Sequence, residues 1–303
     1  MMETNSLDNV RASAGTLGVF ASVSHLRADE VVSFARRVEG FGYGTLWISE
    51  GFGTDPLATL ALLSCHTERL GLATGITNIW LRSAGTVMQA ANTLAEFSGD
   101  RFILGLGVGH RGTIVDVRGL AYDKPLERMR RYLDEMDAAP WSGPHIEHRV
   151  PRVLAALGPK MLELARDRAD GAHPYWTTPK HTAEARAILG PDKLLFVEQK
   201  ILIASDAAAA RAAIVRAIEM YKDPTNYRNS WLRQGFTSTD IDERTPRFLD
   251  ALVPWGSVEQ VRERIREHYD AGADHVCVQP LSVHGDDFDW AAIQALAPAG
   301  AGA

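Results

Sequence analysis

A chain of 303 residues has room for two ordinary domains or for one (β/α)8 barrel, which takes about 250 residues. Its residues are 46% hydrophobic and 23% charged, the composition of a globular protein that folds in water. The net charge is −6, and the absence of a basic block argues against nucleic acid as a partner. No run approaches the roughly 20 apolar residues of a membrane span, and residues 1–15 lack the apolar core of a signal peptide. We therefore expect a cytoplasmic protein without a membrane partner.

The first half of the chain alternates between apolar runs and amphipathic segments. Residues 1–15 carry no periodic pattern, which predicts a flexible tail. Short apolar runs predict four strands, at residues 16–21, 45–49, 70–77 and 101–106. Segments with the apolar spacing of one helical face separate these strands, at residues 26–40, 56–66 and 84–97.

The same alternation continues to the end of the chain. Further strands are predicted at residues 152–157, 171–176, 194–203 and 275–279. Helices are predicted at residues 125–136, up to 168 after the fifth strand, near 180–189, at 207–221 and after Ser257. Residues 222–250, which contain several aromatic side chains and Pro224, interrupt this order and indicate a helical insertion before the last strand–helix unit.

Eight strands that alternate with helices, without a linker, predict a single (β/α)8 barrel over residues 16–303. The alternative is a doubly wound parallel sheet with a second domain. A barrel binds its ligand at the C-terminal ends of its strands. The residues that directly follow each predicted strand are therefore the candidate site.

Three glycines end the fourth predicted strand, namely Gly105, Gly107 and Gly109, and His110 follows them. Backbone N–H groups without side chains in front of them suit an anion such as phosphate. Glycines after a buried strand also commonly serve only to turn the chain, and the residues alone leave both interpretations open. A dinucleotide-binding turn is excluded, because it would open at once into a helix, and none is predicted before Pro125.

A second anion-binding candidate follows the fifth predicted strand. It consists of Gly158, Pro159, Lys160 and Met161. Proline suits the first position of a helix, where free N–H groups and the helix dipole favour an anion, and Lys160 adds a full positive charge. An ordinary strand–helix turn would have the same appearance.

Glu50 and His110 are the candidate catalytic residues. Glu50 directly follows the second predicted strand, so it is expected to point into the site, although a solvated carboxylate is the alternative. The imidazole of His110 titrates near neutrality and could serve a phosphate or a substrate. The sequence shows neither a metal-binding pattern nor a nucleophile triad, which favours hydride chemistry on a bound organic cofactor.

Several segments together resemble the bacterial luciferase-like superfamily, and more narrowly its actinobacterial deazaflavin F420-dependent oxidoreductases. The resemblance covers nearly the whole chain from about residue 16, and it rests on the order and spacing of the segments WISE (47–50), TDP (54–56), RLGLATGIT (69–77), SGDRFILGLGVGH (98–110), ALGPKMLELA (156–165) and AGADHVCVQPL (271–281). It implies a (β/α)8 barrel, usually a homodimer, with the flat cofactor ring at the C-terminal ends of the strands.

The resemblance also implies roles for individual residues. A bulge with a non-prolyl cis peptide backs the cofactor ring in this family, and Gly75, Ile76 and Thr77 match its position. The strand-four phosphate loop matches Gly107, Val108 and Gly109. The second cofactor loop matches Gly158, Pro159, Lys160 and Met161.

One position departs from the family pattern. Sugar-phosphate dehydrogenases of the family carry an Asp–His pair after strand two, where this chain has Glu50 and Gly51, which argues against glucose 6-phosphate as the substrate. The candidate proton donors are Glu50, His110, Tyr175 and Glu198, and aromatic residues that could line a pocket are Trp80, Tyr175, Trp176 and Trp231. The leading hypothesis is an F420-dependent oxidoreductase acting on a small organic substrate. The alternatives are an FMN-dependent monooxygenase and an F420-binding protein without turnover.

Overall fold

The apolar runs form ten strands, and every pairing between them is parallel. The computed structural model describes residues 7–146, 148–221, 225–285 and 288–298. The strands are β1 (Leu17–Ala21), β2 (Thr45–Ile48), β3 (Gly71–Thr74), β4 (Thr77–Asn78), β5 (Phe102–Gly107), β6 (Arg152–Leu154), β7 (Gly171–Ala172), β8 (Leu194–Ile203), β9 (Trp255–Gly256) and β10 (His275–Pro280).

Eight of these strands close into a barrel. They pair in the order β1, β2, β3, β5, β6, β7, β8 and β10, and β10 pairs with β1 to complete the ring. The two remaining strands pair outside the ring, β4 with β5 and β9 with β8. The prediction of a (β/α)8 barrel is confirmed. The alternative of a doubly wound sheet is wrong, because such a sheet has two open edges.

Helices surround the barrel. They are α1 (Leu7–Ala14), α2 (Ala28–Gly40), α3 (Pro56–Ser64), α4 (Ala84–Ser98), α5 (Pro125–Asp137), α6 (Pro159–Arg168), α7 (Pro179–Leu189), α8 (Ala207–Ile218), α9 (Thr225–Arg233), α10 (Ser238–Glu243), α11 (Pro246–Leu252), α12 (Val258–Asp270) and α13 (Trp290–Leu296). A π-helical turn spans Thr113–Val117, and a 3₁₀ turn spans Glu219–Tyr221. Among the described helices, none combines the length and the apolar character that crossing a membrane requires.

Local capping residues explain where several of these helices begin. Asp55 accepts hydrogen bonds from the N–H groups of the first turn of α3, and Pro56 occupies the first helical position. Asp206 caps α8 in the same way, and Ser257 forms a capping box with Gln260 at the start of α12. These starts were readable from the sequence because a cap acts within three residues.

The prediction of a flexible tail over residues 1–15 is wrong for residues 7–14, which form α1. Val10 and Ala14 are buried, and the carbonyl of Ala14 accepts a hydrogen bond from Thr45 Oγ1 at the start of β2. Arg11 donates to Asp274 Oδ1, just before β10. The helix therefore packs at the N-terminal end of the barrel, and its few apolar residues gave too weak a periodic signal to predict it. Residues 1–6 lie outside the described residues.

The insertion predicted at residues 222–250 is helical in its described part, 225–250, where it comprises α9, α10 and most of α11. Its apolar side chains pack against α8 and the end of β7 in a cluster of buried residues that includes Trp176, Ile214, Tyr227, Trp231 and Phe248. The insertion therefore has its own apolar core, beside the C-terminal end of the barrel. Pro224, which marked the insertion in the sequence, lies outside the described residues.

The barrel interior is filled by side chains that alternate along each strand. Its central layer contains Phe20, Trp47, Ala73, Ile103, Val153, Phe196 and Cys277. Because side chains on a strand face the same side every second residue, the next layer towards the C-terminal ends consists of Ser22, Ser49, Gly75, Gly105, Ala155, Glu198 and Gln279, with Tyr175 from the segment that follows β7, the sixth strand of the ring. We call this second layer the mouth of the barrel.

Candidate functional site

The mouth has two unlike halves. The positions contributed by β1, β2, β3, β5 and β6 carry serine, glycine or alanine, so this half is made of small side chains and exposed backbone. The positions contributed by β7, β8 and β10 carry Tyr175, Glu198 and Gln279, and the hydroxyl of Tyr175 donates to Gln279 Oε1 at 3.0 Å. The first half can therefore accept a flat ring, and the second half can contact it with polar and aromatic groups.

The third predicted strand, residues 70–77, is interrupted by a bulge. The peptide bond between Gly75 and Ile76 is cis, as the family resemblance implied. A Cβ on Gly75 would overlap the ring of Phe20 and lie 3.3 Å from His173 Nε2, so glycine is required for the backbone to pass here. β4 then begins at Thr77, whose hydroxyl oxygen is buried and has no hydrogen-bond partner among the described residues.

Glu50 holds this bulge in place. One of its carboxylate oxygens accepts the N–H of Asn78 at 2.7 Å, and the other accepts a hydrogen bond from Arg82. Arg82 also binds Asp55. Burial works against ionisation of Asp55, but the hydrogen bond from Arg82 and the capped N–H groups of α3 outweigh it, so the pKa of Asp55 is lowered. Both oxygens of Glu50 are therefore engaged in positioning.

The glycine loop after β5 packs directly on the bulge. A Cβ on Gly107 would overlap the side chain of Ile76, and a Cβ on Gly109 would overlap the amide of Asn78. Gly109 also has φ +58°, which an L side chain rarely adopts. The carbonyl of Val108 accepts a hydrogen bond from Trp80 Nε1 at 2.9 Å. The bulge and the loop thus form one backbone surface on the small-residue half of the mouth.

His110 lies between this loop and the insertion. Its ring is 5.3 Å from that of Tyr227 and 6.0 Å from that of Tyr221, measured between centroids. Its Nδ1 is buried and has no partner among the described residues. Burial lowers the pKa of His110, so the ring is neutral at pH 7 and offers a hydrogen bond rather than a stored proton.

The second predicted anion loop lies at the start of α6. Gly158 is the N-cap and no side chain caps the helix. Proline has no N–H group and the N–H of Met161 donates to the carbonyl of Gly158, so Lys160 carries the first-turn N–H group that could bind a ligand. Pro159 is the first helical residue, Lys160 is exposed and Met161 is partly buried. Arg233, from the end of α9, donates to the carbonyl of Leu157 at 3.2 Å and brings a second positive charge to this loop.

Arg233 was not predicted as a site residue. It belongs to the segment YRNSWLRQGF (227–236), which shares the family resemblance, but nothing local to that segment shows which loop it faces. A Cβ on Gly158 would lie 3.4 Å from Arg233 Nη2. The insertion therefore contributes to the second loop as well as to the aromatic side of the mouth.

The aromatic residues predicted to line a pocket divide into two groups. Trp176 and Trp231 are core residues, both almost fully buried, and Trp231 Nε1 donates to the carbonyl of Trp176 at 3.0 Å. Tyr175 faces the mouth and contacts Tyr221, with the two hydroxyl oxygens 3.3 Å apart. Trp80 is partly buried under the glycine loop.

A buried ion pair occupies the polar half of the mouth. Lys200 Nζ donates to Glu198 Oε1 at 3.0 Å, and the side chains of Lys200 and Glu198 are 3% and 0% exposed. Lys200 Nζ also lies 3.6 Å from the ring centroid of Tyr175 and 4.1 Å from that of Trp176. Glu198 was a predicted proton-donor candidate, whereas residues 198–200 were predicted only to lie near the site and no role was predicted for Lys200.

Comparison with known proteins identifies the type of barrel. The sequence profile of the luciferase-like monooxygenase family matches residues 10–275. A 5,10-methylenetetrahydromethanopterin reductase of Archaeoglobus fulgidus is 25% identical over 300 residues, covering 84% of this chain and 90% of the reductase. A putative coenzyme F420-dependent oxidoreductase of Mycobacterium tuberculosis is 28% identical over 305 residues, covering 79% of this chain and 87% of that protein.

Solved structures show the same fold. A coenzyme F420-dependent tetrahydromethanopterin reductase from Methanopyrus kandleri superposes with a TM-score of 0.69 at 17% identity, covering 93% of this chain and 98% of the other. An FMN complex of the oxygenating constituent of 3,6-diketocamphane monooxygenase from Pseudomonas putida superposes with a TM-score of 0.67 at 14% identity, covering 95% and 98%. The family resemblance inferred from the sequence is confirmed.

Proposed function

Because the chain belongs to the luciferase-like monooxygenase family, we propose that it is a coenzyme F420-dependent oxidoreductase that moves a hydride between the deazaflavin and a small organic substrate. The observation that carries the proposal is the backbone surface formed by the Gly75–Ile76 bulge and the Gly107–Gly109 loop. Two of the relatives that align over most of this chain support F420 rather than FMN. One is a methylenetetrahydromethanopterin reductase and the other is a putative F420-dependent oxidoreductase.

The residues present fit such a cofactor. The small half of the mouth can accept a flat ring, and two buried polar atoms beside it, Thr77 Oγ1 and His110 Nδ1, have no partner among the described residues. Gly75, Ile76 and Thr77 would back the ring. Gly107, Val108 and Gly109 would contact phosphate through backbone N–H groups, and Gly158, Pro159, Lys160 and Met161 would form the second contact at the start of α6.

The bound deazaflavin would supply a carbon that gives or accepts a hydride, and the protein supplies position and protons. Glu50 fixes the bulge behind the ring through the N–H of Asn78. His110 is neutral and placed to donate a hydrogen bond to the cofactor phosphate or to the substrate. Tyr175 and Gln279 form the opposite wall, against which a substrate would be held.

The position after β2 also limits the substrate. Glu50 is engaged by Asn78 and Arg82, and Gly51 occupies the place of the histidine that sugar-phosphate dehydrogenases of the family carry. The chain therefore lacks that general acid, and we propose a substrate other than glucose 6-phosphate. We also propose that the protein acts as a homodimer in the cytoplasm, and sedimentation of the purified protein would test its assembly.

Cofactor titration tests the proposal. Purified protein is titrated with F420 and, separately, with FMN, while the fluorescence of each ring is followed. We expect saturable binding of F420 and hydride transfer from reduced F420 to at least one compound in a panel of carbonyl compounds and activated alkenes. Tight binding of FMN without a response to F420 would refute the proposal and favour an FMN-dependent monooxygenase. Binding of F420 without any turnover would favour a cofactor-binding protein.

A matched pair of glycine variants locates the cofactor. Gly107→Val places a side chain where Ile76 already lies, so we expect the affinity for F420 to fall at least tenfold. Gly40→Ala is the control, because a Cβ there has no heavy atom within 4 Å, and it should leave the affinity unchanged. If wild type and Gly107→Val bind F420 with equal affinity, the glycine loop is not part of the cofactor site.

A further inference from the structure

We propose that Lys200, held by Glu198 in the polar half of the mouth, gives the substrate the proton that accompanies hydride transfer. This inference rests on the proposed function and adds the source of the proton. It follows from where the pair lies, from the partners that the pair has, and from what the other candidate donors are already doing.

The pair lies inside the barrel at its functional end. β10 pairs with β8 so that Cys277 is opposite Glu198 and Gln279 is opposite Lys200. Along β8, Glu198 is the next inward-facing residue after Phe196 of the apolar centre, and Lys200 is the inward-facing residue after Glu198, one step further towards the C-terminal end. Burying two charges in a barrel interior is costly, and well-packed apolar residues would be at least as stable there. A role in the reaction explains why such a pair occupies this place.

The partners of Lys200 leave it able to release a proton. Among the described residues, Glu198 Oε1 is the hydrogen-bond acceptor of Nζ, and the ammonium otherwise faces the rings of Tyr175 and Trp176. Aromatic faces attract a cation but do not accept its proton as a base would. The second oxygen of Glu198 accepts the N–H of Trp176 at 3.3 Å, which fixes the carboxylate beneath the ammonium.

Burial brings the pKa values of Lys200 and Glu198 closer together. Burial lowers the pKa of Lys200 to about 8, against the opposing effect of Glu198. Burial also raises the pKa of Glu198, against the opposing effect of Lys200. The titratable groups that face the pair from the surrounding elements include Tyr175, Tyr221, Tyr227, Cys277 and His173. A lysine with this acidity is charged at pH 7 and is a far better acid than a solvated lysine.

The other candidate donors are less suited to the task. Both oxygens of Glu50 are engaged by Asn78 and Arg82. His110 is neutral at pH 7, because burial lowers its pKa. Burial raises the pKa of Tyr175 well above its usual value, so its phenol holds its proton tightly. Lys200, which lies against Tyr175 just beyond the polar half of the mouth, is therefore the candidate donor that holds a proton it can release near pH 7.

In the direction of reduction, the substrate carbon of a C=O group receives the hydride, and the electron pair of the π bond moves to oxygen. Lys200 gives one proton to that oxygen as the alcohol forms and becomes the neutral amine. The amine then takes up a proton from solvent and Lys200 returns to its charged state. Reduced F420 would lose one proton to solvent along with the hydride, so the number of protons in solvent does not change. The balance is one hydride and one proton delivered to the substrate. The contact between Nζ and the oxygen is expected to tighten only when both ligands are bound.

Arginine and methionine substitutions separate proton donation from charge. Lys200→Arg keeps a positive charge but cannot release a proton, because a guanidinium stays protonated in proteins. Lys200→Met removes both the charge and the proton. It also leaves the carboxylate of Glu198 buried without a partner, which could prevent folding, so the double variant Glu198→Gln with Lys200→Met replaces the pair with two neutral residues. Lys193→Met and Lys193→Arg are the controls, because Lys193 precedes the same strand at the opposite end of the barrel and donates to the carbonyl of Ala169.

We expect Lys200→Arg and Lys200→Met to reduce the rate of hydride transfer from reduced F420 about 100-fold or more, the usual loss for a general acid. Affinity for F420, followed by fluorescence, should stay within about twofold of wild type, as should both measurements for the Lys193 variants. A rate for Lys200→Arg within about threefold of wild type would overturn the proposal, since charge alone would then suffice.

The pH profile gives a readout that a structural role would not change. The rate of reduction should fall as the pH rises through about 8, where Lys200 loses its proton. Because Glu198 raises the pKa of Lys200, Glu198→Gln should move this fall to lower pH, and ¹⁵N NMR of the Lys200 ammonium in the cofactor-free protein should show the same shift. An unchanged profile and an unchanged titration in Glu198→Gln would overturn the proposal. Wild-type protein that transfers no hydride from F420 would instead refute the proposed function, and the role of Lys200 with it.

Discussion

Replacing Glu50 tests whether cofactor binding depends on the contacts by which Glu50 holds the Gly75–Ile76 bulge. We call these contacts, to the N–H of Asn78 and to Arg82, the Glu50 clamp, and we call the backbone of the bulge and the glycine loop the cofactor surface. Glu50, at the end of β2, accepts the N–H of Asn78 in the bulge and a hydrogen bond from Arg82. The Glu50 side chain is 7% exposed and that of Arg82 is 18% exposed, so solvent screens this ion pair only weakly. Glu50→Gln keeps the size of the side chain and one acceptor oxygen, but it presents an amide N–H group or a neutral oxygen to Arg82.

The magnitude follows from these contacts. A hydrogen bond between charged groups in a partly buried place contributes about 2 kcal/mol, so the free energy of unfolding should fall by about that amount. The bulge would also lose its fixed position behind the cofactor. A tenfold loss of affinity for F420 corresponds to about 1.4 kcal/mol, so a loss of this size or larger is expected.

Asp55→Asn is the matched control. It removes the other carboxylate bound to Arg82, but asparagine still caps α3, and Asp55 makes no contact with the bulge among its hydrogen bonds in the described chain. Urea unfolding measures stability, and fluorescence titration measures affinity for F420. If Glu50→Gln binds F420 as well as wild type, or if Asp55→Asn weakens binding equally, then the clamp on Asn78 does not support the cofactor surface.

Two further predictions concern stability. Burial lowers the pKa of His173 to about 4, of His275 to about 4 and of His268 to about 3, so these rings are neutral in the folded protein. They gain protons on unfolding once the pH is below about 6.5, so the free energy of unfolding should fall by about 1.4 kcal/mol per pH unit for each as the pH drops from about 6 towards 4. Equal unfolding free energies at pH 7 and pH 5 would contradict this. Val10→Ala, in the buried face of α1, should cost about 2 kcal/mol by urea unfolding, whereas the exposed Ala12→Ser should change stability by less than about 0.5 kcal/mol. Equal stabilities of these two variants would mean that α1 does not stabilise the barrel.

The division of the mouth into two halves gives these experiments a common frame. Variants at Glu50 and Gly107 act on the small-residue half and should change cofactor affinity before turnover. Variants at Lys200 act on the polar half and should change turnover without changing cofactor affinity. A mixed outcome would show that cofactor and substrate are not separated in this way.

The sequence alone determined the number and order of the barrel strands and the position of the glycine loop. These features rest on local signals, because an apolar run or a helix cap such as Asp55 acts within a few residues. The resemblance to the family added the cis bulge and the cofactor, again from short segments in a fixed order.

Only the tertiary structure decided which side chains meet. Glu50 and Arg82 are 32 positions apart, and Tyr175 and Gln279 are 104 positions apart, so their contacts exist only because strand pairing brings distant segments of the chain together. Lys200 and Glu198 are two positions apart on one strand, but only the packed barrel buries their ion pair, and the barrel also gives α1 an end to pack on. A local pattern can place a residue at a strand end, but the strand pairing and the layer that this residue occupies depend on the geometry of the whole barrel.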